Sequence, residues 1–201
     1  MRYAMVIDLQ KCVGCNSCTV ACRAEQGTPA GVHFHKVVKY EAGRYPNAKM
    51  KFLPMPCMHC QNPPCLKVCP TGATYQCEDG LVLIDHDKCI GCRACMVACP
   101  YETRHFLWDV ACYFDGQLPT PFEQVKQDSF DRGTVVKCNF CVQRLVQGRL
   151  PACVETCPSQ ARTFGDLDDP ESEASRLIVL HRGTRFREEL GTEPSVYYIK
   201  G

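Results

Sequence analysis

Tryptophan, unbalanced charge and long apolar segments are all scarce in this sequence of 201 residues. It has one Trp, and its 23 basic and 22 acidic side chains nearly cancel, leaving a formal charge of +1. Because there is no basic excess and no block of Lys or Arg, the sequence predicts no nucleic-acid partner. Apolar runs such as Leu81–Ile84 and Leu177–Leu180 are far shorter than the about 20 residues of a transmembrane helix, so we expect no direct membrane insertion.

The first residues also lack the features of a secretory signal. Met1–Ile7 leads directly into Asp8 and Lys11 without an apolar core or a cleavage site, and no twin-arginine pair precedes the first cysteine. The sequence therefore predicts synthesis in the cytoplasm, where thiols stay reduced. Clustered cysteines there bind metal more often than they form disulfides.

Cysteine, by contrast, is abundant, with eighteen residues. Sixteen of them fall into four groups, each ending in C-x3-C, and a proline follows the last cysteine of three groups. Groups one and three read C-x2-C-x2-C-x3-C, group two reads C-x2-C-x4-C-x3-C, and group four reads C-x2-C-x11-C-x3-C. The groups are Cys12, Cys15, Cys18 and Cys22; Cys57, Cys60, Cys65 and Cys69; Cys89, Cys92, Cys95 and Cys99; and Cys138, Cys141, Cys153 and Cys157.

This spacing is typical of bacterial ferredoxins with two clusters. Three cysteines of a group surround one cubane cluster, and the fourth ligates the neighbouring cluster. Zinc sites instead use separated C-x2-C pairs, which makes zinc the weaker interpretation. The crossed rule predicts four all-cysteine ligand sets and hence four [4Fe–4S] clusters. The sets are Cys12, Cys15, Cys18 and Cys157 (cluster 1); Cys138, Cys141, Cys153 and Cys22 (cluster 2); Cys57, Cys60, Cys65 and Cys99 (cluster 3); and Cys89, Cys92, Cys95 and Cys69 (cluster 4).

An internal repeat predicts how the groups are arranged. The sequence before and around Cys12 matches that around Cys89, 77 residues later, and Pro64–Pro70 resembles Ala152–Pro158. Two copies of a ferredoxin unit are therefore expected. Residues 57–100 form one contiguous module, with a hairpin around the turn Glu78–Gly80.

The other module is predicted to be split across the termini. After Cys157 comes Ala161–Gly165, the counterpart of the first hairpin strand, and its partner strand is Tyr3–Asp8. The predicted fold is thus α+β, with two bacterial-ferredoxin-like modules. The first module, residues 1–56 plus 101–201, is circularly permuted, and the second module, 57–100, is inserted in it.

The remaining segments carry weaker signals. His33–Tyr40 and Met50–Met55 are compatible with a hairpin, a helix is expected to start near Asp169, and Val196–Ile199 is expected to be a strand. Residues 101–137 form an insertion whose aromatic residues favour either an interface patch or a local core. The two aromatic residues concerned are Trp108 and Phe114.

Several side chains near the groups have two interpretations each. For the ungrouped Cys77 and Cys112 packing is favoured over ligation, because sixteen cysteines already complete four sites. His59 either tunes a cluster by hydrogen bonding or fills its loop. A solvated surface is the default for His33 and His35. A lysine before the first cysteine of a group either raises a cluster potential or is a simple surface residue; the lysines are Lys11, Lys88 and Lys137.

These motifs make the whole chain resemble a known family. The resemblance rests on Asp8–Cys22, Cys57–Cys65, Cys69–Ala73, Asp79–Val82 and the segment from Pro151 to Pro170. The chain is similar to the iron–sulfur (beta) subunits of molybdopterin enzymes of the dimethyl sulfoxide reductase family. Among these it looks most like the polysulfide/thiosulfate reductase type, with arsenate respiratory reductase also near.

The resemblance implies partners and an order of clusters. It implies a catalytic subunit with a molybdenum or tungsten bis-pterin centre, and often a quinone-reactive subunit in the membrane. Cluster 1 would lie nearest the catalytic subunit and cluster 4 at the membrane end, where Cys92 supports four irons rather than three. Co-export with the catalytic subunit would place the chain peripherally on the outer face of the cytoplasmic membrane, with a cytoplasmic location as the alternative.

The sequence thus predicts an electron-transfer subunit that relays electrons between these two partners. No acid–base pair or nucleophile stands out, so we expect no substrate conversion by this chain alone. A free soluble polyferredoxin is the alternative, and a zinc-stapled interaction module is a third interpretation. Purified protein should be brown and contain iron and acid-labile sulfide, and a colourless zinc protein would eliminate the first two interpretations.

Overall fold

A computed structural model describes residues 1–114 and 116–200. Position 115, in the insertion, and position 201, at the end of the tail, lie outside the described residues. The described residues form ten strands: β1 Tyr3–Asp8, β2 Lys36–Ala42, β3 Lys49–Met55, β4 Thr74–Gln76, β5 Val82–Ile84, β6 Arg104–Phe106, β7 Val135–Lys137, β8 Arg162–Asp166, β9 Thr184–Arg185 and β10 Val196–Ile199.

Most helices are a single turn long. They are α1 Ser17–Gln26, α2 Pro64–Lys67, α3 Ala94–Val97, α4 Pro121–Lys126, α5 Val142–Leu145, α6 Ala152–Glu155 and α7 Glu173–Leu180, with a 3₁₀ turn at Glu188–Leu190. In the described part of the chain, no helix combines the length and the apolar character needed to cross a bilayer.

The largest sheet has four strands in the order β8-β1-β10-β9. Its central strand β1 is buried on both faces, because Met5 and Ile7 face the main core while Val6 packs with Ala174 and Ile199 beneath α7. Strand β1 runs antiparallel to β8 and parallel to β10. The predicted pairing of the first strand with the segment after Cys157 is therefore observed, as is the terminal strand.

Three separate hairpins complete the sheets: β2–β3, β4–β5 and β6–β7. The β4–β5 hairpin lies within residues 57–100, at the turn that the sequence predicts. The β2–β3 hairpin also forms, although β2 begins at Lys36 rather than His33. The β6–β7 hairpin joins the two ends of the insertion, a segment for which no secondary structure was predicted.

Helix α7 begins later than the position predicted near Asp169. Its first residue is Glu173, because the Ser172 hydroxyl accepts a hydrogen bond from the Ser175 amide and caps the helix. In the insertion, α4 has a capping box in which the Thr120 and Glu123 side chains accept each other's backbone N–H.

The C-terminal segment joins the two halves of the chain. Before it enters β10, it receives backbone hydrogen bonds from the amides of Gln61 and Asn62, and the Ser195 amide donates to the Met58 carbonyl at 2.9 Å. The Tyr101 hydroxyl hydrogen-bonds to that of Thr192 at 2.6 Å. Residues 57–100 are therefore anchored to the same segment that completes the four-stranded sheet.

Candidate functional site

Four small cavities are each lined by four cysteines. The four sets are Cys12, Cys15, Cys18 and Cys157; Cys22, Cys138, Cys141 and Cys153; Cys57, Cys60, Cys65 and Cys99; and Cys69, Cys89, Cys92 and Cys95. We call them quartets 1 to 4. They coincide with the four crossed sets predicted from the spacing, and their binding of iron stays a prediction.

Each quartet combines loop cysteines with at least one cysteine on a helix. The third cysteine of every group stands on a helix: Cys18 on α1, Cys65 on α2, Cys95 on α3 and Cys153 on α6. Quartet 2 has a second helical cysteine, Cys22, which is also on α1. The fourth cysteine lies about one helical turn further along the chain, and it lines the neighbouring cavity. The C-x3-C spacing thus produces the crossing.

The loops between the first two cysteines share one backbone feature in all four groups. The residue two positions after the first cysteine has a positive φ, at Gly14, His59, Gly91 and Phe140. Glycine is needed at two of them because a Cβ would lie 2.2 Å from the Phe52 ring at Gly14, and 2.0 Å from the Gly133 carbonyl oxygen at Gly91.

At the two other positions the side chains meet. The His59 and Phe140 rings stack with centroids 3.9 Å apart, and His59 Nδ1 accepts the Val82 amide proton at 3.1 Å. His59 Nε2 therefore carries the proton and donates to the Cys138 carbonyl, also at 3.1 Å. His59 fills its loop, as one interpretation expected, and it also connects the loops of quartets 2 and 3.

The donor set fits iron–sulfur clusters. All eighteen cysteines lie in the described residues as free thiols, and thiolates are the ligands that such clusters use. In residues 1–114 and 116–200, no three His, Cys, Asp or Glu side chains are arranged to hold a single metal ion. The sulfurs instead surround cavities.

Burial raises the pKa of several of these sulfurs. Burial, with the neighbouring Cys57 thiol, raises the pKa of Cys60 to about 12. The pKa of Cys138 is also raised, by burial and by the Cys57 thiol of quartet 3. Buried sulfurs of this kind keep their protons until a bound metal replaces them, and incorporation of a cluster should release protons.

Solvent exposure differs among the quartets. Cys15 in quartet 1 and Cys92 in quartet 4 are exposed, whereas all four cysteines of quartet 2 are buried. Quartet 3 has no exposed cysteine. Among the four quartets, only quartets 1 and 4 therefore contain an exposed cysteine.

Two sequence interpretations are wrong. His35 is not on a solvated surface, since it is 2% exposed, contacts the Arg162 guanidinium through Nε2, and lies 3.3 Å from the Thr19 hydroxyl through Nδ1. His33, its neighbour, is exposed. Trp108 and Phe114 do not form a local core, because 67% and 54% of their surfaces are exposed.

The ungrouped cysteines stand apart from the quartets. Cys77 is half-buried against the main core, as the packing interpretation expected, and its amide and carbonyl bond within the β4–β5 hairpin turn. Cys112 is half-buried in the insertion. Neither lines one of the four cysteine cavities.

Sequence reasoning missed two buried arginines at the cavities. Arg104 lines the cavities of quartets 3 and 4, and Arg162 lines that of quartet 1 and approaches Cys153 of quartet 2. Each stands five residues after the fourth cysteine of a group, Cys99 or Cys157. That shared offset was the available signal.

Comparisons with known proteins agree with this geometry. Profiles described as 4Fe-4S dicluster domains match residues 11–73, 48–115 and 115–167. A subunit of the selenate reductase from Mesobacillus selenatarsenatis is 48% identical over 99% of this chain and 72% of its own length. The iron–sulfur subunit of an arsenate respiratory reductase from Shewanella is 42% identical over 100% of this chain and 97% of its own. A subunit of the tetrathionate reductase from Salmonella typhimurium is 41% identical over 98% and 72%.

Proposed function

This chain belongs to the family of iron–sulfur subunits of multisubunit reductases with 4Fe-4S dicluster domains, and we propose that it carries four [4Fe–4S] clusters, one on each quartet. It is an electron-transfer subunit of a reductase complex. The observation that carries the count of four is the set of four small cavities, each lined by four cysteines.

We further propose that the clusters form one path, in the order 1, 2, 3, 4. The exposed Cys15 and Cys92 support ends at clusters 1 and 4, since an electron must reach a partner from a cluster near the surface. The hydrogen bond from His59, in the loop of quartet 3, to the carbonyl of Cys138 in quartet 2 supports proximity of clusters 2 and 3. Each cluster accepts one electron as its neighbour gives one up.

The proposed partners are a molybdopterin catalytic subunit next to cluster 1 and a quinone-reactive membrane subunit next to cluster 4. The relatives support the existence of a catalytic partner, because they are named as subunits of selenate, arsenate and tetrathionate reductases. We propose that the chain is peripheral to the cytoplasmic membrane, on its outer face after co-export.

The proposed modules are residues 57–100 and, around them, 1–56 with 101–201. The antiparallel pairing of β1 with β8, at Met5 opposite Phe164, supports a circularly permuted first module. This pairing brings the two ends of the chain together. The β4–β5 pairing is its counterpart in the second module, where the two strands are close in sequence.

Analysis of the purified protein tests the cluster count. Anaerobically isolated protein should be brown and contain roughly sixteen iron and sixteen sulfide per chain, because each all-cysteine quartet holds one cube. About eight of each would reduce the proposal to a two-cluster protein, and a colourless protein with zinc would end it.

Isolation from native membranes tests the partners. Co-purification with a molybdopterin polypeptide and a membrane subunit is expected, with cluster reduction on addition of a quinol. A brown chain that purifies alone and reacts with several soluble enzymes would instead support a free polyferredoxin.

A further inference from the structure

Three buried basic side chains lie among the quartets. Arg104, Arg162 and Lys137 are 4%, 5% and 6% exposed. A buried charge normally faces a carboxylate, because removal from water is costly without a partner of opposite charge. Within the described part of the chain, none of the three forms a salt bridge with a carboxylate. Their negative partners must be sought among the sulfurs.

Arg104 lies between quartets 3 and 4. Its Nη2 donates to the Cys65 sulfur of quartet 3 at 3.0 Å, and its Nη1 donates to the Thr74 hydroxyl at 3.0 Å. Both Arg104 and Thr74 also line the cavity of quartet 4. One guanidinium therefore faces two quartets.

Arg162 has the same position between quartets 1 and 2. Its Nη1 lies 3.7 Å from the Cys153 sulfur of quartet 2, and the residue lines the cavity of quartet 1. His35 holds the other side of the guanidinium, with Thr19 fixing the imidazole in turn. The neutral histidine orients the arginine without cancelling its charge.

Lys137 lies at the remaining gap, between quartets 2 and 3. Its ammonium donates to the carbonyl of Cys138, a residue of quartet 2, at 2.7 Å. The same carbonyl accepts a hydrogen bond from His59 Nε2 at 3.1 Å, and His59 lies in the loop between Cys57 and Cys60 of quartet 3. The Lys137 ammonium therefore shares its acceptor with the loop of the second quartet.

The β6–β7 hairpin of the insertion places Arg104 directly opposite Lys137. Like charges in directly opposite positions destabilise a strand pair, and here both are buried. An anion on each side of the pair would remove this penalty. A thiolate-ligated iron–sulfur cube is such an anion, and it gains one more negative charge when it is reduced.

We infer that Arg162, Lys137 and Arg104 are counter-cations placed between successive clusters, and that each raises the reduction potentials of the two clusters that flank it. The inference rests on the proposed four clusters. Reduction moves one electron from a cluster to its neighbour, and no bond forms or breaks on the basic side chains. The insertion then has a function, because its β6–β7 hairpin supplies two of the three cations, Arg104 and Lys137.

The test is a redox titration of the assembled complex, followed by low-temperature electron paramagnetic resonance. Arg104→Gln should lower the midpoint potentials of clusters 3 and 4 and leave those of clusters 1 and 2 unchanged. Arg162→Gln should lower the midpoint potentials of clusters 1 and 2 and leave those of clusters 3 and 4 unchanged. Lys137→Gln should lower those of clusters 2 and 3. The signals are assigned with Cys15→Ser for cluster 1 and Cys92→Ser for cluster 4.

Two controls separate charge from position. Lys88→Gln removes the same charge one residue before Cys89 of quartet 4, but the Lys88 side chain is 63% exposed, so water and salt screen it and the potentials should not move. Arg104→Lys keeps the charge, so the midpoint potentials of clusters 3 and 4 should stay close to those of the wild type. If Arg104→Gln loads poorly, Arg104→Met fills the same buried space without an unpaired amide.

Iron and sulfide analysis of each preparation separates the two proposals. Wild-type protein with fewer than four clusters contradicts the proposed function. Four intact clusters with unchanged potentials in Arg104→Gln and Arg162→Gln would overturn the inference, as would an equal shift of all four clusters or a shift in Lys88→Gln of the same size.

Discussion

The glycines of the cysteine loops differ in what a methyl group would contact. Gly91 and Gly72 share a φ of 67°, but a Cβ at Gly91 would meet the Gly133 carbonyl oxygen, whereas a Cβ at Gly72 would have nothing within 4 Å. A substitution at Gly72 therefore measures the cost of the left-handed backbone alone, whereas a substitution at Gly91 adds a steric clash.

Gly91→Ala should destabilise the protein far more than Gly72→Ala. The shared left-handed backbone costs about 1–2 kcal/mol with a side chain, and overpacking against Gly133 adds about 1–3 kcal/mol at Gly91 alone. The measurement is the temperature at which cluster absorbance disappears on anaerobic heating. Equal temperatures for the two variants would contradict the geometry of this loop.

The exposed ligand Cys92 permits a test at a single position. Cys92→Ser should convert or remove cluster 4 and block quinone-linked turnover, because this cluster is proposed to be the membrane end of the path. Cys112→Ser is the matched control, since Cys112 lies in no quartet, and it should keep all clusters. An unchanged low-temperature spectrum of Cys92→Ser would refute the assignment of quartet 4.

Helices α1, α5 and α6 are connected by the buried guanidinium of Arg144. Arg144 of α5 donates to the Glu25 carboxylate of α1 at 2.8 Å and also contacts Glu155 of α6. Its Nε donates to the Leu150 carbonyl at 2.7 Å. These bonds fix the long C-x11-C segment of group four, so that Cys141 and Cys153 reach the same cavity despite their separation in sequence.

Arg144→Met should destabilise this element by about 1–3 kcal/mol, because the half-buried Glu25 loses its partner and the Leu150 carbonyl loses a donor. Cluster 2 should be lost at a lower temperature than in wild type. Arg149→Met is the control: Arg149 pairs with the same Glu155 but is 53% exposed, and such pairs contribute less than about 1 kcal/mol. A similar effect of both variants would exclude a special role for Arg144.

The whole molecule depends on its C-terminal segment. Strand β10 lies between β1 and β9, and the residues before it hold the loop of quartet 3. The Tyr198 hydroxyl, which is buried, donates to the Pro54 carbonyl at 2.8 Å and anchors β3 as well. Both proposed modules therefore share one structural support.

Removal of residues 192–201 should reduce the iron content of both modules. The truncation exposes Met5 and Val6 on β1 and frees the Cys60 loop at the same time. A truncation of residues 200–201 retains β10 and should bind iron like the full chain. Iron loss confined to one module in the longer truncation would show that the modules are independently stable.

The composition of the four cysteine quartets could be predicted from the sequence alone. The C-x3-C spacing is one helical turn, so the crossing of the fourth cysteine could be predicted from adjacent residues, and the repeat identified which segments are equivalent. The pairing of Tyr3–Asp8 with the segment after Cys157 followed from the same repeat, because one copy of the hairpin is contiguous.

Burial was decided only by the tertiary structure. Lys11, Lys88 and Lys137 each precede the first cysteine of a group, yet Lys137 is buried while the other two are exposed. The difference arises because Lys137 ends β7, which pairs with β6 at the other end of the insertion. His35 is buried for a similar reason, since its partner Arg162 is 127 residues away. The spacing of cysteines specifies a site through neighbouring residues, whereas the charge around that site depends on distant segments that only folding brings together.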